Sequence, residues 1–139
     1  MAVQDVVGQL SKVELFSGCS KKELQFVARS VKTIEHPLGS AIAAEGEPGR
    51  GLFIIAVGDA EVTVGGKKVN ELHAGDSFGE MALLDGGPRT ATVTATTPVK
   101  IYVLSEWAFR GILADQPSIA MRTLEAMAGR MREAATSAS

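Results

Sequence analysis

The sequence has little of what several protein classes depend on. It holds a single cysteine, Cys19, so a disulfide framework is excluded and a reducing compartment fits. The longest apolar run, Leu52–Val57, is far shorter than the roughly 20 residues that span a bilayer. Met1–Leu10 lacks the basic start and apolar centre of a secretory signal. The 14 basic and 16 acidic residues give no basic excess. These absences favour a cytoplasmic protein that contacts neither membrane nor nucleic acid.

The composition is that of an ordinary globular domain. Of the 139 residues, 45% are hydrophobic and 22% are charged, which excludes disorder and fibrous repeats. We therefore expect one domain over residues 1–139, large enough to fold without a disulfide or a metal. The two histidines, His36 and His73, lie in different turn regions, whereas a metal site in a β-roll needs several histidines and a carboxylate. No metal and no cofactor are expected.

Helices are predicted at about residues 2–30. The first shows helical spacing of its apolar residues, and the second begins at Ser20, which forms a capping box with Glu23. In such a box the serine oxygen and the glutamate each satisfy a backbone N–H that the helix leaves unpaired. The expected apolar positions are Val3, Val6, Val7 and Leu10 in the first helix and Leu24, Val27 and Ala28 in the second.

Residues 31–104 are predicted to form short strands separated by glycine- and proline-rich turns. Many short strands without long helices between them exclude a βαβ sheet and favour a sandwich, roll or barrel. Alternation is clearest in the segment from Thr90 to Ala95. The predicted strands are Val31–Glu35, Ala41–Ala44, Leu52–Val57, Ala60–Val64, Lys68–Leu72, Thr90–Ala95 and Val99–Leu104.

Two further helices are predicted at about residues 105–134. Ser105 is the expected cap of a helix over Glu106–Leu113, and Pro117 suits the first turn of a longer one. The tail from Ala134 is expected to fray. An apolar stripe on the last helix could pack on the roll or pair with a second chain; its members are Ala120, Leu124, Met127 and Met131.

The segment from Phe78 to Thr92 differs from ordinary turn sequence. A short helix is predicted over Glu80–Leu84, with Gly79 at its start and the amides of residues 80–82 pointing out of its N-terminus, where anions bind. Arg89 would enter the next strand beside those amides, with the Thr90 hydroxyl next to it, as in a phosphate clamp. The alternative is a helix that plugs the end of the barrel, with an exposed ion pair between Glu80 and Arg89.

This segment resembles the phosphate-binding cassette of the cyclic nucleotide-binding domain family. The family pattern is Phe-Gly-Glu, a small apolar helix and then Pro-Arg-Ser/Thr-Ala, and residues 78–92 carry each position. The resemblance covers about residues 10–132 and implies an antiparallel β-roll (a jelly-roll, or double-stranded β-helix) with helices on both sides. It also takes in Leu15–Cys19, Gly39, Glu45–Gly49, Gly58 and Gly75–Asp76.

The resemblance implies a role for each matching residue. Arg89 would pair with the cyclic phosphate, helped by the amides of Met81 and Ala82 and by the Thr90 hydroxyl. Glu80 would accept a hydrogen bond from the ribose 2′-OH. The ligand-binding residues that it implies are Phe78, Gly79, Glu80, Met81, Ala82, Arg89, Thr90 and Ala91.

The residues that contact the base are less narrowly defined. In the family the base lies against the roll and is often covered by the last helix, which gives Val62, Val64, Met121, Arg122 and Leu124 as candidates. For the apolar residues of the last helix, core packing is the alternative. Thr90 occurs in members that accept cGMP and in those that bind cAMP. We expect cAMP, with cGMP as the alternative ligand.

The resemblance implies a regulatory module and not an enzyme. Ligand binding would repack the terminal helices, and the output would come from a separate or fused effector, since the resemblance leaves no residues for one. A transcription regulator, the sensor of a channel or kinase, and a non-binding interaction domain are the competing interpretations.

Trp107 and Phe109 are expected to anchor a helix onto the roll, and Cys19 is expected to be a small buried residue rather than a nucleophile.

Overall fold

The computed structural model describes residues 3–48 and 51–138, in two compact units. The roll unit is Val31–Glu106, and the helical unit comprises the residues up to Ser30 and from Trp107 onward. The helices are α1 (Val3–Leu10), α2 (Lys21–Ala28), α3 (Ala82–Asp85), α4 (Glu106–Asp115) and α5 (Pro117–Ala138), with a 3-10 turn at Glu14–Phe16. The strands are β1 (Lys32–His36), β2 (Ala41–Ala43), β3 (Gly51–Val57), β4 (Ala60–Val64), β5 (Lys67–Leu72), β6 (Ser77–Phe78), β7 (Thr92–Ala95) and β8 (Val99–Ser105).

The roll unit consists of two antiparallel sheets. Their strand orders are β1-β8-β3-β6 and β2-β7-β4-β5. Residues of both sheets form one buried cluster, as expected where two sheets face each other. The predicted antiparallel β-roll with helices before and after it is confirmed. The buried cluster is Ala43, Ile55, Ala60, Leu72, Val93, Ala95, Val99 and Ile101.

Two features of the roll differ from the sequence prediction. β7 begins at Thr92, so Thr90 and Ala91 precede the strand and do not belong to it. Strand β6 was not predicted, because two residues carry no periodic signal; it pairs Phe78 with Phe53 of β3. Both differences lie at the ends of the cassette, which is held by pairing to distant strands.

The capping box at the start of α2 is confirmed. The Ser20 hydroxyl oxygen accepts a hydrogen bond from the backbone N–H of Glu23 at 3.1 Å, and the Glu23 carboxylate accepts one from the backbone N–H of Ser20 at 2.8 Å. The predicted apolar stripes of α1 and α2 are buried except for Val3, which is exposed.

For two members of the predicted α5 stripe, Leu124 and Met131, the alternative of packing within this chain is wrong, and pairing with a second chain stays a prediction. Leu124 and Met131 are 63% and 73% exposed, whereas the buried residues of this helix are Ile119 and Thr123. Thr123 tolerates burial because its hydroxyl donates to the Ile119 carbonyl oxygen at 3.0 Å. The helix begins at Pro117, as predicted, and continues to Ala138, beyond its expected end.

The two aromatic residues of α4 have different environments. Phe109 is fully buried and packs edge to face on Phe16 of the helical unit, with 5.9 Å between ring centroids. Trp107 is 86% exposed, so the prediction that it anchors a helix is wrong. Within the part of the chain that the structure describes, no helix has the length and apolar character needed to cross a membrane.

Candidate functional site

The guanidinium of Arg89 is the centre of the candidate site. Its Nη2 donates to the Gly51 carbonyl oxygen at 2.9 Å, and its Cζ lies 4.9 Å from the ring centroid of Phe53 and 5.9 Å from that of Phe78. The two rings pack edge to face at 5.0 Å. The pairing of β3 with β6 therefore builds the aromatic support on which this cation rests.

Arg89 is a half-buried cation for which the described residues provide no acidic partner. The ion pairs found among the described residues do not include it. Burial lowers the pKa of Arg89, which nevertheless stays charged. A backbone carbonyl and two ring faces satisfy this cation only partly, because they carry no net negative charge. The arrangement is suited to an anion that approaches the remaining N–H donors.

The backbone on both sides of Arg89 holds it in place. The Arg89 N–H donates to the Glu47 carbonyl oxygen at 2.8 Å, and its own carbonyl accepts from the Gly46 N–H at 2.9 Å. Pro48 and Pro88 form a β-bridge beside them. Arg89 therefore lies in a loop paired with residues 46–48 and not in the predicted strand. Gly49, the last residue of the matching turn, lies outside the described residues.

Gly79 lies directly against Arg89. It has a φ of +82°, a conformation that favours glycine. A Cβ at this position would overlap the Arg89 guanidinium and the Gly51 carbonyl oxygen. Glycine is therefore required at this position for the protein's own packing.

The cassette helix is shorter and later than predicted. α3 covers Ala82–Asp85, with Met81 as its N-cap residue, and ends at Gly86 in the left-handed conformation. The amide of Ala82 donates to the Gly79 carbonyl oxygen at 3.1 Å. The prediction that this amide points unpaired out of a helix N-terminus is wrong, because the turn before the helix already uses it.

The other predicted ligand residues lie along the same segment of the roll unit. Glu80 and Ala91 are half-buried, whereas Met81 and Thr90 are exposed. Ala82 is buried, at 8% exposure. The predicted ligand residues therefore lie on one segment of the chain, and the Arg89 guanidinium packs against Gly79 near the start of that segment.

The candidate base contacts divide between the two units. Val62 is half-buried on β4, opposite Val93 of β7 and next to a register shift against β5, and Val64 is exposed. Register shifts of this kind change the direction of neighbouring side chains and are common near binding sites. Met121, Arg122 and Leu124 lie on α5 in the helical unit and are exposed. Core packing, the alternative for Met121 and Leu124, is therefore wrong.

Two groups that were considered for other chemistry, Cys19 and His73, have interactions outside the candidate site. Cys19 is half-buried, and burial together with the Glu23 carboxylate raises its thiol pKa to about 11, against a smaller opposing effect of Arg122. His73 Nδ1 lies 2.7 Å from the Asp59 carboxylate, and this hydrogen bond raises its pKa. Across residues 3–48 and 51–138 no cluster of three or more potential ligands is arranged for a metal ion.

Sequence reasoning missed the partners that come from distant segments. Phe53 and Gly51 support the guanidinium from β3, and Glu47 holds its backbone. Glu106, at the start of α4, lies against Gly86. Only the pairing of β3 with β6 and β8 brings these residues to the cassette, so no local pattern could have identified them.

The comparisons with known proteins agree with this geometry. The model of the "Cyclic nucleotide-binding domain" family matches residues 33–116. A cAMP-dependent protein kinase regulatory subunit from Emericella nidulans is 37% identical over 116 residues, which cover 82% of this chain and 28% of that protein. A CRP-like cAMP-activated global transcriptional regulator from Mycobacterium tuberculosis is 30% identical over 131 residues, or 88% of this chain and 57% of that protein. The chain thus spans only part of each relative.

Solved structures show the same fold. The N-terminal domain of a transcriptional regulator from Streptomyces coelicolor matches with a TM-score of 0.85 and 27% identity, covering 91% of this chain and 94% of that one. A cyclic nucleotide-binding domain from Methylobacillus flagellatus matches with a TM-score of 0.75, also at 27% identity, covering 94% and 79%. The relatives and the family model agree with the cassette and the roll, and the chain belongs to the cyclic nucleotide-binding domain family.

Proposed function

We propose that this chain is a cAMP-binding regulatory module whose ligand binds at the cassette of the roll. The observation that carries the proposal is Arg89, a half-buried guanidinium that rests on Phe53 and Phe78 and forms no ion pair among the described residues. A cyclic phosphodiester carries one negative charge, so a single arginine is a matched partner. The proposed chemistry needs no metal and no cofactor.

Glu80 is the proposed partner of the ribose 2′-OH. It lies at the start of the cassette, next to Gly79, which itself lies against the Arg89 guanidinium. A carboxylate that accepts from the 2′-OH would discriminate against deoxy analogues, because its desolvated oxygen would lose that partner. Thr90, the next residue after Arg89, is exposed, and its hydroxyl is the proposed further donor to the phosphate.

The choice of cAMP rests on the relatives and on the roll. The kinase regulatory subunit and the transcriptional regulator that resemble this chain are both named for cAMP. On the roll, the half-buried Val62 offers an apolar surface to a base. Thr90 is compatible with cGMP as well, so both nucleotides belong in the test.

Calorimetric titration of the chain with cAMP and with cGMP tests the proposal. We expect binding of cAMP, and we expect Arg89→Ala to weaken it by about 3–5 kcal/mol, more than a hundredfold, because the phosphate would be desolvated without a partner. Arg29→Ala, at the exposed arginine that follows α2 as its C-cap residue, is the matched control and should bind as the wild type does. Wild-type protein that binds neither nucleotide would favour a non-binding interaction domain.

The proposed output is a conformational response of the terminal helices, passed to a separate or fused effector. A ligand shifts a conformation only by its differential affinity for the two states.

We further propose that α5 forms a homodimer, because its exposed apolar residues follow heptad spacing: Met121, Leu124, Ala128 and Met131.

A further inference from the structure

The hairpin of β4 and β5 extends past the neighbouring strand β7. The pairing of β4 with β7 ends at Thr63, which lies opposite Thr92, the first residue of β7. Beyond this pair lies the hairpin tip, residues 64–67, whose two central glycines have φ angles of +58° and +81°. A Cβ on either glycine would meet nothing within 4 Å. Packing against the turn therefore does not hold the hairpin tip in place.

The carboxylate of Glu45 is bonded to this hairpin tip. The Gly65 N–H donates to Glu45 Oε1 at 2.9 Å. Glu45 lies in the loop between β2 and β3, so its side chain reaches the hairpin tip from outside β4 and β5. Both residues belong to the roll unit. Because the acceptor is a carboxylate, this bond is stronger than one between neutral groups.

The backbone of the same loop is bonded to the segment that carries Arg89. The Glu45 N–H donates to the Thr92 hydroxyl oxygen at 3.1 Å. The Gly46 N–H donates to the Arg89 carbonyl oxygen at 2.9 Å, and the Arg89 N–H donates to the Glu47 carbonyl oxygen at 2.8 Å. These bonds use backbone atoms of the loop, whereas the bond to the hairpin tip uses the Glu45 side chain. A substitution of that side chain therefore removes one connection and leaves the others available.

The hairpin that Glu45 holds carries two of the candidate base contacts. Val62 and Val64 lie on the same face of β4, because alternate residues of a strand point to the same side. The register of β4 against β5 shifts between Val62 and Thr63, and a shift of this kind bends the hairpin. The direction of the hairpin tip beyond this bend therefore depends on the bond to Glu45 as well as on strand pairing.

We propose that Glu45 is a positioning residue for the base of the ligand. Its carboxylate holds the hairpin tip, so that Val62 and Val64 keep a fixed position relative to Arg89 while the phosphate is bound there. The proposal rests on the proposed function, since it needs a nucleotide with its phosphate at Arg89 and its base on β4. Glu45 acts through the hairpin and does not touch the ligand.

Hydrogen exchange and calorimetry of Glu45→Ala test the proposal. Without ligand, we expect faster amide exchange in residues 64–67, because the Gly65 N–H loses its acceptor, and unchanged exchange in residues 86–92, whose bonds to the loop use its backbone. We expect cAMP affinity to fall about tenfold. Protection of residues 62–67 by cAMP should be lost, while protection of residues 79–89 should persist.

Two further variants separate this role from a general effect of a lost charge. Glu45→Gln keeps a side-chain oxygen that accepts from the Gly65 N–H, so its cAMP affinity should stay within about threefold of wild type. Glu35→Ala removes an exposed carboxylate from β1, in the other sheet, and is the matched control that should behave as the wild type does.

Three results for Glu45→Ala would overturn the inference and leave the proposed function standing. The first is wild-type exchange in residues 64–67, and the second is wild-type affinity for cAMP in spite of faster exchange there. The third is faster exchange in residues 86–92, which would show that the substitution acts through the segment of Arg89. A Glu45→Gln variant as weak as Glu45→Ala would overturn it as well. A wild-type chain that binds no cyclic nucleotide overturns both proposals.

Discussion

Gly79 and Gly39 have nearly the same backbone conformation and very different surroundings. Their φ angles are +82° and +86°. A Cβ on Gly79 would overlap the Arg89 guanidinium and the Gly51 carbonyl oxygen, whereas a Cβ on Gly39 would meet nothing within 4 Å. The pair therefore separates the cost of a left-handed backbone from the cost of crowding at the proposed phosphate site.

Substitution of these two glycines should have different effects on binding. Each Gly→Ala change forces a non-glycine residue into the left-handed region, so we expect Gly39→Ala to lower the free energy of unfolding by about 1–2 kcal/mol. Gly79→Ala should lower it further, because its methyl group would also overlap the Gly51 carbonyl oxygen. Only Gly79→Ala should also weaken cAMP binding, by at least about tenfold, because its methyl group displaces the guanidinium. Denaturant unfolding and calorimetry measure the two effects. Equal affinities of the two variants would contradict the proposed position of the ligand.

At the scale of an element, the sequence predicts a helix best where the signal is local. The capping box of α2 is contained within four residues, from Ser20 to Glu23, and forms as expected. Strand β6 has only two residues, and the start of α3 depends on a turn that uses the Ala82 amide. Local periodicity predicts neither strand β6 nor the start of α3, because pairing with β3 and the packing of Arg89 determine where the cassette begins.

The buried face of α5 could not be predicted for a different reason. Apolar residues occur on more than one side of this helix, so periodicity alone does not select the side that packs. The structure buries Ile119 and Thr123 and leaves Leu124 exposed. The Thr123 hydroxyl bonds to its own helix at the Ile119 carbonyl, so a residue that the sequence marks as polar is suited to the core.

The capping box gives the element-scale prediction. Ser20→Ala removes the acceptor of the Glu23 N–H and should lower the free energy of unfolding by about 1 kcal/mol. Ser20→Asn, whose side-chain oxygen can accept the same bond, should stay close to wild type. Urea unfolding monitored by circular dichroism measures both changes. A Ser20→Ala variant as stable as the wild type would show that the cap does not stabilise α2.

At the scale of the whole molecule, the proposed dimer concerns the exposed last turns of α5. Residues 131–136 are all exposed, and Gly129 lies within the helix, where glycine costs about 1 kcal/mol relative to alanine. Isolated helical turns with this little packing are marginal in water. The exposed heptad positions Met121, Leu124 and Met131 supply apolar surface that a second copy of the helix can cover.

The double variant Leu124→Lys with Met131→Lys tests this dimer. Charged side chains at two seam positions would be buried without partners, so we expect a monomer at concentrations where the wild type is a dimer in sedimentation equilibrium. Leu38→Lys with Val69→Lys is the matched control, since these residues of the roll unit are 65% and 59% exposed and lie outside α5. The control should remain dimeric. A wild type that stays monomeric at about 100 µM, a concentration at which an association of even modest affinity is visible, would leave α5 without a self-partner and contradict the proposed dimer.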